Sequence, residues 1–284
     1  MIKRIFLLAL VATMCFMSSV FGVKAMPTEG YYCDTSYFET GANYTYHTEV
    51  INFDYYTVTD THIARLCPVY RNYTQTNSCA PLAGSVVIGY HDATKTNLVP
   101  NYAPGYTYEG EYYFYSDSST MIGVKEQLYD LMGTNTIQPG TSRSQFRTGL
   151  TSYVEGKGYD ITYTTTAINY SSLKNHFETK EDPVVLFLNS YTYYDGAGMY
   201  ETDNSLSMYG KSSTTGHVVV AYGYQEHYFY TNNALTRTEK FLVVVFGDGS
   251  EGFLSVNSTS GIDEAVAVDV YWCWKNKTQI WWWH

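Results

Sequence analysis

Residues 77–90 read NSCAPLAGSVVIGY and carry the clearest information about the fold in the chain. Pro81 suits the first turn of a helix, because a helix does not use the N–H groups of its first turn. Four apolar residues then recur on one face at helical spacing: Leu82, Val86, Val87 and Tyr90. The stretch therefore predicts a helix that begins at Cys79 and packs one apolar face into a core.

Helical patterns come before strand patterns along the chain. Three further helices are predicted, over residues 121–132, 142–155 and 170–178, from the helical spacing of their apolar residues. After Pro183 the sequence changes to short apolar runs that are typical of strands: 184–188, 218–224, 241–246, 266–274 and 279–283. The polar stretch 225–240 is interpreted as an extended hairpin. This order favours an α+β fold with helices and strands in separate layers.

The beginning of the chain has the pattern of a secretory signal peptide. Lys3 and Arg4 precede an apolar run over residues 5–21, and Val23-Lys24-Ala25 places small residues where a signal peptidase reads. We expect cleavage near Ala25, which gives a secreted or cell-surface protein. An uncleaved anchor is the alternative, but the run is short for a bilayer span, and no later segment is long and apolar enough to be one.

Two segments follow the signal peptide (residues 1–25) in the predicted domain organisation. Residues 26–65 alternate polar and aromatic positions without a helical period, which indicates an N-terminal β extension or a propeptide. Residues 66–284 are predicted to form the main domain. A chain of about 260 residues can bury a sizeable core as one domain.

Charge and composition narrow the range of partners. The formal net charge is −10, and loss of Lys3, Arg4 and Lys24 with the signal peptide changes it to −13. Such an acidic chain repels phosphate backbones, so we do not expect nucleic acid as a partner. The 31 tyrosines favour a β-rich protein, because aromatic residues suit pleated, half-buried surfaces. A carbohydrate-binding or adhesive surface is the alternative interpretation of this composition.

Four cysteines remain after removal of the signal peptide: Cys33, Cys67, Cys79 and Cys273. In an oxidising compartment, four cysteines can form two disulfides. If Cys79 is instead a reduced nucleophile, at most one bridge can form among the other three. Cys33–Cys67 is then the pairing that we favour, and the sequence leaves both arrangements open.

A cysteine at the start of a helix is well placed for nucleophilic chemistry. The N-terminus of a helix carries partial positive charge and backbone N–H groups, which stabilise a thiolate and an oxyanion. Cys79 lies at such a position, after the polar residues 72–78. A buried structural cysteine, or half of a disulfide, is the other interpretation.

His217 and Asp248 complete a candidate catalytic set. His217 follows Gly216 and opens an apolar strand, and Asp248 ends the next apolar strand. Neighbouring strands would bring the Asp248 carboxylate against the imidazole, which fixes the tautomer and stabilises the imidazolium. A core or solvated histidine and a plain Gly-Asp-Gly turn are the alternatives. The order of cysteine on a helix, then histidine and aspartate on strands, is more specific than any one of the residues.

Two of these stretches resemble a known peptidase family. Asn77-Ser78-Cys79-Ala80-Pro81-Leu82-Ala83-Gly84 looks like the cysteine-bearing helix start of C39-like peptidases, which belong to the papain-like superfamily. Gly216-His217-Val218-Val219-Val220-Ala221-Tyr222-Gly223-Tyr224 is similar to the histidine strand of that family, and Asp248 matches its acidic residue. The resemblance covers roughly residues 66–255. It implies a papain-like fold, hydrolysis of peptide or protein substrates through Cys79, His217 and Asp248, and no metal or organic cofactor.

The chain departs from the family pattern beside the nucleophile. Ala80 replaces the glycine that usually follows the cysteine. Papain-like enzymes place an oxyanion glutamine about six residues before the cysteine, and Tyr73 occupies that distance here. Gln75 or Asn77 would supply the amide if the loop is shortened.

Two further functions are compatible with these residues. A cell-wall amidase or acyltransferase would use the same Cys-His-Asp set. A catalytically inactive papain-like surface protein, acting as a binding or adhesion module, is the alternative from another class. The tail Trp281-Trp282-Trp283 supports that alternative, because exposed tryptophans stack on sugars or insert into surfaces.

Overall fold

Four helices and a ten-stranded antiparallel sheet form the main body of the residues that the computed structural model describes. These residues are 31–32, 44–63, 75–95, 97–103, 105–114, 119–180, 182–245, 251–256 and 261–273. The predicted α+β class is therefore confirmed. Several sequence predictions fall outside the described residues: the signal peptide at 1–25, Cys33, Cys67, Asp248 and the last predicted strand at 279–283.

All four predicted helices are present: α1 (Cys79–Asp92), α2 (Ser119–Leu131), α3 (Arg143–Gly156) and α4 (Tyr170–Thr179). Ser142 begins α3 with a capping box. Its hydroxyl accepts a hydrogen bond from the Gln145 N–H at 3.2 Å, and Gln145 Oε1 accepts one from the Ser142 N–H at 2.9 Å. These two bonds satisfy N–H groups that the first turn would otherwise leave unpaired. No helix in the described part of the chain combines the length and apolarity that a membrane span requires.

The strands are β1 (Tyr31–Tyr32), β2 (Thr45–Asn52), β3 (Tyr55–His62), β4 (Gly105–Tyr108), β5 (Glu111–Phe114), β6 (Thr141–Ser142), β7 (Tyr159–Thr166), β8 (Val184–Leu188), β9 (Tyr191–Thr202), β10 (Ser205–Ser213), β11 (His217–Thr231), β12 (Ala234–Val245), β13 (Glu251–Ser255) and β14 (Ile262–Trp272). Two small sheets pair β1 with β6 and β4 with β5. The large sheet has the order β2-β10-β9-β13-β12-β11-β8-β14-β7, and β3 pairs with β11 outside this path. The sheet is therefore antiparallel at every pairing in the described residues.

The seven strands β8–β14 follow the last helix, in the predicted order of helices first and strands second, but three earlier strands join the same sheet. β2 and β3 lie within residues 26–65, where the sequence predicted a β extension or a propeptide, and β7 lies between α3 and α4. β2 and β7 occupy its two ends. An edge strand offers an unpaired row of backbone groups to any segment of the chain, so the order of elements does not restrict which strands are added there.

β11 joins the two parts of the sheet. One side of β11 pairs with β12 in the long hairpin that the sequence predicted. The other side pairs with β8 over His217–Ala221 and then with β3 over Gly223–Tyr230. Glycine is needed where the partner changes, because a Cβ on Gly223 would lie 2.5 Å from the Thr61 carbonyl oxygen.

Two hydrophobic cores pack on this sheet. The larger core includes α1, which is buried along its whole length and contacts α2, α3, β11 and β14. The smaller core consists of seven residues: Ile51, Phe53, Tyr194, Leu206, Met208, Phe229 and Phe241. The turn between β2 and β3 closes it, since the Phe53 N–H donates to the Asn204 carbonyl oxygen at 3.0 Å and the Asp54 N–H to the Tyr230 carbonyl oxygen at 2.8 Å.

α3 passes so close to the end of α2 that residue 149 has to be glycine. A Cβ on Gly149 would lie 2.5 Å from Met132 Cγ and 2.7 Å from the Met132 backbone nitrogen. Because backbone atoms cannot rotate away as a side chain can, we expect Gly149→Ala to lower the free energy of unfolding by about 2 kcal/mol. Urea unfolding followed by tryptophan fluorescence measures this loss.

Gly123→Ala is the matched control for this prediction. Gly123 lies on the exposed face of α2, and a Cβ there meets no atom within 4 Å. The control should raise the free energy of unfolding by up to about 1 kcal/mol, because alanine is the better helix former. Equal effects of the two substitutions would contradict a steric limit at Gly149.

His227 is a buried titratable residue that packs against the smaller core. The centroid of its ring lies 5.9 Å from that of Tyr56 and 5.4 Å from that of Phe241, and its Nε2 lies 2.7 Å from Gln225 Oε1. Burial lowers the pKa of His227 from 6.5 to about 4, because the imidazolium is poorly solvated there. Between these two pH values the unfolded chain binds a proton that the folded protein does not. The folded state therefore loses stability as the pH falls through this range.

Through His227, the wild type should lose roughly 3 kcal/mol of its free energy of unfolding as the pH falls from 6.5 to 4. We expect His227→Phe not to show this loss. Urea unfolding of the wild type and the variant across this pH range measures the difference. His227→Gln is the control, since it also removes the titration but adds no apolar surface. It should flatten the pH dependence of the free energy of unfolding by the same amount while lowering stability at every pH. If both variants keep the wild-type pH dependence, His227 is not the group responsible for it.

Candidate active site

α1 begins at Cys79 without a side-chain cap from Ser78. The Ser78 hydroxyl donates to the Gln75 carbonyl oxygen at 3.0 Å instead of accepting a bond from the helix. The first helical bond runs from the Leu82 N–H to the Ser78 carbonyl oxygen at 2.9 Å. The positive end of the helix dipole thus lies at the Cys79 residue, and the Ser78 side chain does not neutralise it.

The two cysteines in the described residues differ in burial. Cys79 has 2% of its surface exposed, whereas Cys273 is half-buried. Neither forms a disulfide in the part of the chain that the structure describes. The predicted pairing of Cys33 with Cys67 falls outside these residues. Cys79 is therefore present as a thiol at a buried helix start.

His217 is the first residue of β11 and is 1% exposed. It pairs with Leu188 of β8 through the backbone. Its imidazole packs on the ring of Tyr191, with ring centroids 5.5 Å apart and an interplanar angle of 33°. Backbone pairing and ring packing together give the imidazole a defined position at one end of the sheet.

The far end of α1 shows how the helix is placed on this sheet. In its last turn, His91 Nε2 lies 2.9 Å from the Val268 carbonyl oxygen of β14. The Val268 N–H donates to the carbonyl oxygen of Pro183, the residue before β8. Because β8 starts at this point and ends at Leu188, opposite His217, the C-terminal end of α1 lies at the end of β8 that is remote from His217.

Asn135 holds the loop before Cys79, although nothing in the sequence analysis identified it. It lies between α2 and α3 in a left-handed conformation, with φ of 63°, and Asn77 is left-handed as well, with φ of 57°. Four groups bond to the Asn135 side-chain amide: Asn77 Nδ2 at 2.8 Å, the Gly140 N–H at 2.7 Å, the Thr76 carbonyl oxygen at 3.3 Å and the Tyr129 hydroxyl at 2.5 Å. The α2–α3 connection and the loop before the cysteine are therefore one hydrogen-bonded unit. The available sequence signal was weak: asparagine tolerates the left-handed region better than other non-glycine residues do.

The beginning of α3 joins this unit to the end of the sheet where His217 lies. Arg147 Nη2 donates to Glu264 Oε1 at 2.6 Å, and Glu264 pairs with Phe187. Phe187 precedes Leu188, whose partner across β11 is His217. The structure thus brings the segment before Cys79 and the start of β11 to the same end of the sheet.

The two side chains predicted to supply an oxyanion amide are used differently. Asn77 Nδ2 bonds to Asn135, so the amide of Asn77 serves the loop. Asn77 Oδ1 and Gln75 Oε1 are buried and have no hydrogen-bond partner among the described residues. Gln75 is half-buried in the turn that leads to Ser78. Of the two side chains, Asn77 therefore bonds to Asn135, whereas Gln75 does not.

Asp248 lies three residues beyond the last described residue of β12. β12 ends at Val245, which pairs with Val220 of β11. Since β12 runs antiparallel to β11, the chain leaves Val245 in the direction of His217. The end of β12 is thus directed to the end of the sheet at which His217 lies.

A cleft of about 410 Å³ opens beside His217. Tyr191, whose ring packs on the imidazole, forms part of its wall. Ser213, the last residue of β10, and Thr214, in the short connection that leads into His217, line it as well. Tyr191 therefore contacts the candidate base and also lines the cleft.

Comparison with known proteins adds no family assignment. No protein-family model, no curated protein and no solved structure matches the chain. The interpretation of this site therefore rests on the residues of the chain and on their arrangement.

Because Asn135 bonds to so many groups, we expect Asn135→Ala to lower the free energy of unfolding by about 2–3 kcal/mol. The substitution leaves the Asn77 amide and the Gly140 N–H without their acceptor. Asn233→Ala is the matched control, since Asn233 has the same left-handed backbone, with φ of 60°, in an exposed turn between β11 and β12. Urea unfolding measures both variants, and equal losses would mean that only backbone conformation matters at Asn135.

Proposed function

We propose that the chain is a secreted, C39-like cysteine peptidase with a papain-like fold. The observation that carries this proposal is the placement of α1, which starts at Cys79, is buried in the larger core and has the loop before its first turn held at the His217 end of the sheet. A nucleophile on a helix start and a base on a strand start are thereby presented from two rigid elements. Residues 1–25 would direct secretion and be removed near Ala25.

Cys79 is the proposed nucleophile. The N-terminus of α1 stabilises negative charge on its sulfur, because the dipole of the helix and its backbone N–H groups lie there. Burial in the larger core opposes the charged form, because it removes water from the thiolate, so the helix N-terminus and His217 have to outweigh this cost. A thiolate in this position needs neither a metal nor an organic cofactor to attack a carbonyl group.

His217 is the proposed base, and Asp248 is proposed to orient it. His217 takes the proton of the Cys79 thiol, and the imidazolium that results is stabilised by the Asp248 carboxylate. The direction of β12 supports this role for Asp248, because the strand at Val245, its last residue, runs toward the end of the sheet at which His217 lies. The backbone N–H of Cys79 and the side-chain amide of Gln75, with Asn77 as the other candidate, are proposed to hold the oxyanion.

The reaction consists of two acyl-transfer steps. The Cys79 thiolate attacks the peptide carbonyl carbon, and the tetrahedral intermediate collapses with cleavage of the C–N bond. His217 gives its proton to the departing amine, which leaves a thioester on Cys79. Water then attacks the thioester carbonyl while His217 accepts its proton. The carboxylic acid product leaves, and the proton returns to the Cys79 sulfur.

A binding module without catalytic activity is the second candidate function. The observation that favours it is the burial of both proposed catalytic side chains, since Cys79 and His217 are 2% and 1% exposed. Large side chains are also exposed on neighbouring strands of the sheet: Tyr46, Val50, Tyr200 and Tyr209. Aromatic side chains on a sheet face suit contact with a sugar or with another protein.

Thiol labelling separates these two candidates, because Cys273 provides an internal reference in the same protein. We expect iodoacetamide and E-64 to modify Cys79 at least about 10-fold faster than Cys273, with an apparent pKa well below ~8.5. Mass spectrometry of peptides from the mature chain, taken over time and across pH, measures both rates.

His217→Ala should abolish the advantage of Cys79 over Cys273, because the variant lacks the group that takes the thiol proton. His176→Ala is the matched control on α4, and it should leave both rates unchanged. If Cys79 reacts no faster than Cys273 in the wild type, the peptidase proposal fails and the binding module becomes the better explanation.

A further inference from the structure

The cleft beside His217, which we call the Tyr191 cleft, is lined mainly by hydroxyl side chains: Ser190, Thr192, Ser212, Ser213, Thr214 and Ser255. It lies where the end of β9 nearest His217 meets the β10–β11 connection and the start of β14. Gly261 lets the chain approach closely there, because a Cβ on it would lie 1.9 Å from the Ser190 carbonyl oxygen. Its own carbonyl oxygen accepts the Asn189 N–H at 2.8 Å, which fixes this wall.

The hydroxyl groups of the Tyr191 cleft are able to adapt to a ligand. Thr192 Oγ1 and Ser212 Oγ lie 2.9 Å apart on neighbouring strands, and either atom can be the donor. Ser213 Oγ accepts the Thr215 N–H at 3.1 Å, which leaves its own hydrogen for another acceptor. Such groups complement both the N–H and the C=O groups of a ligand.

Charge restricts the ligand further. Glu49 is the carboxylate among the described lining residues, and its Oε1 accepts a hydrogen bond from Arg237 Nη2, so its charge is already compensated. No lysine or arginine appears among the described residues that line the cleft. Among the described lining residues, an anionic ligand would meet neither lysine nor arginine, and the imidazole of His47 packs edge-on against the Tyr194 ring. A cationic ligand would compete with Arg237 for Glu49. The chemistry therefore suits an uncharged polar ligand.

We propose that the Tyr191 cleft is a substrate subsite that binds an uncharged, polar segment of a peptide, composed of glycine, serine, threonine, asparagine or glutamine. This inference rests on the proposed function, because Tyr191 places the cleft one side chain away from the proposed base. The volume of about 410 Å³ is that of a ligand pocket and not of a single bound water. The rings of Tyr191 and Tyr194 supply apolar contact to the peptide, as aromatic side chains with a polar end commonly do.

The test is a binding measurement on the mature Cys79→Ala protein, which binds substrate without cleaving it. The probe is a fluorescein-labelled decapeptide of Gly, Ser, Asn and Thr, titrated by fluorescence polarisation. We expect saturable binding that Ser212→Arg weakens at least 10-fold. Ser212→Arg should at the same time gain at least 10-fold in affinity for a matched decapeptide in which Asp replaces Asn, because the new guanidinium faces the ligand.

Ser207→Arg is the control, since Ser207 lies on the same strand as Ser212 but outside the cleft lining. It should leave both affinities as they are in the parent protein. Thr214→Arg, in the exposed connection before His217, is a second cleft variant that keeps the test decisive if Ser212→Arg does not fold. The same loss and the same gain are expected from it.

Three results would overturn the subsite: absence of binding to the polar peptide, equal binding by the cleft and control variants, or displacement of the peptide by chitohexaose at lower concentration than by unlabelled peptide. The last result would assign the cleft to a glycan. Failure of the peptidase proposal is recorded separately by the labelling of Cys79, so failure of the subsite and failure of the peptidase proposal are distinguishable.

Discussion

Burial of α1 on every side is the constraint on which the rest of the structure depends. All 14 residues of this helix are buried, including three with polar side chains. Each of these has its own partner: Ser85 donates to the Leu82 carbonyl oxygen at 2.8 Å, His91 contacts the Val268 carbonyl oxygen at 2.9 Å, and Asp92 accepts the Val99 N–H at 2.8 Å. A buried polar group that loses its partner costs about 1–3 kcal/mol. The Ser85 bond stays within the helix, whereas the bonds of His91 and Asp92 reach residues outside it and therefore favour one placement of α1.

This placement gives the two ends of α1 different electrostatic surroundings. At the C-terminal end, burial raises the pKa of Asp92 to about 6, an effect that the Val99 N–H partly offsets. A carboxylate at the negative end of a helix is disfavoured, and water is largely absent from its surroundings. At the N-terminal end, the same dipole favours negative charge at Cys79. Because the contact of His91 fixes the C-terminal end of α1 away from His217, the helix end that favours a thiolate lies at the His217 end of the sheet.

Sequence analysis predicted the elements that a local pattern of residues defines. It missed the elements that are stabilised by contacts with distant parts of the chain. α1 to α4 follow from apolar residues at helical spacing, and β8 follows from a short apolar run. β9 and β10 carry mixtures of tyrosine, serine and glycine without a clear apolar face, and they are stabilised by pairing with strands distant in sequence. The predicted single apolar face of α1 was too narrow, because residues outside it, such as Ser85, Ile88 and Gly89, are buried as well.

The candidate site was predictable to a similar extent and for the same reason. Cys79 and His217 lie at element starts, which sequence patterns locate well. Asn135 acts through a hydrogen bond to a residue 58 positions away, and no local pattern contains that information. Gln75 and Asn77 were equivalent in the sequence, and only the bond from Asn77 to Asn135 distinguishes them.

The gathering of polar groups at one end of the sheet follows from the short length of β8. β8 has five residues and lies between β11 and β14, so the ends of these three strands meet: Leu188, His217 and Ile262 are mutual neighbours through Leu188. The connections that leave these strand ends carry Ser190, Thr214 and Gly261 of the Tyr191 cleft. Glu264, near the start of β14, bonds to Arg147 of α3, which leads back to the loop before Cys79. Residues 184–187 of β8 and 218–221 of β11 are apolar and buried, so they can fix the position of this end but cannot take part in its chemistry. A change in the core would therefore act on the site by moving its elements together, whereas a change at the strand ends would alter single contacts.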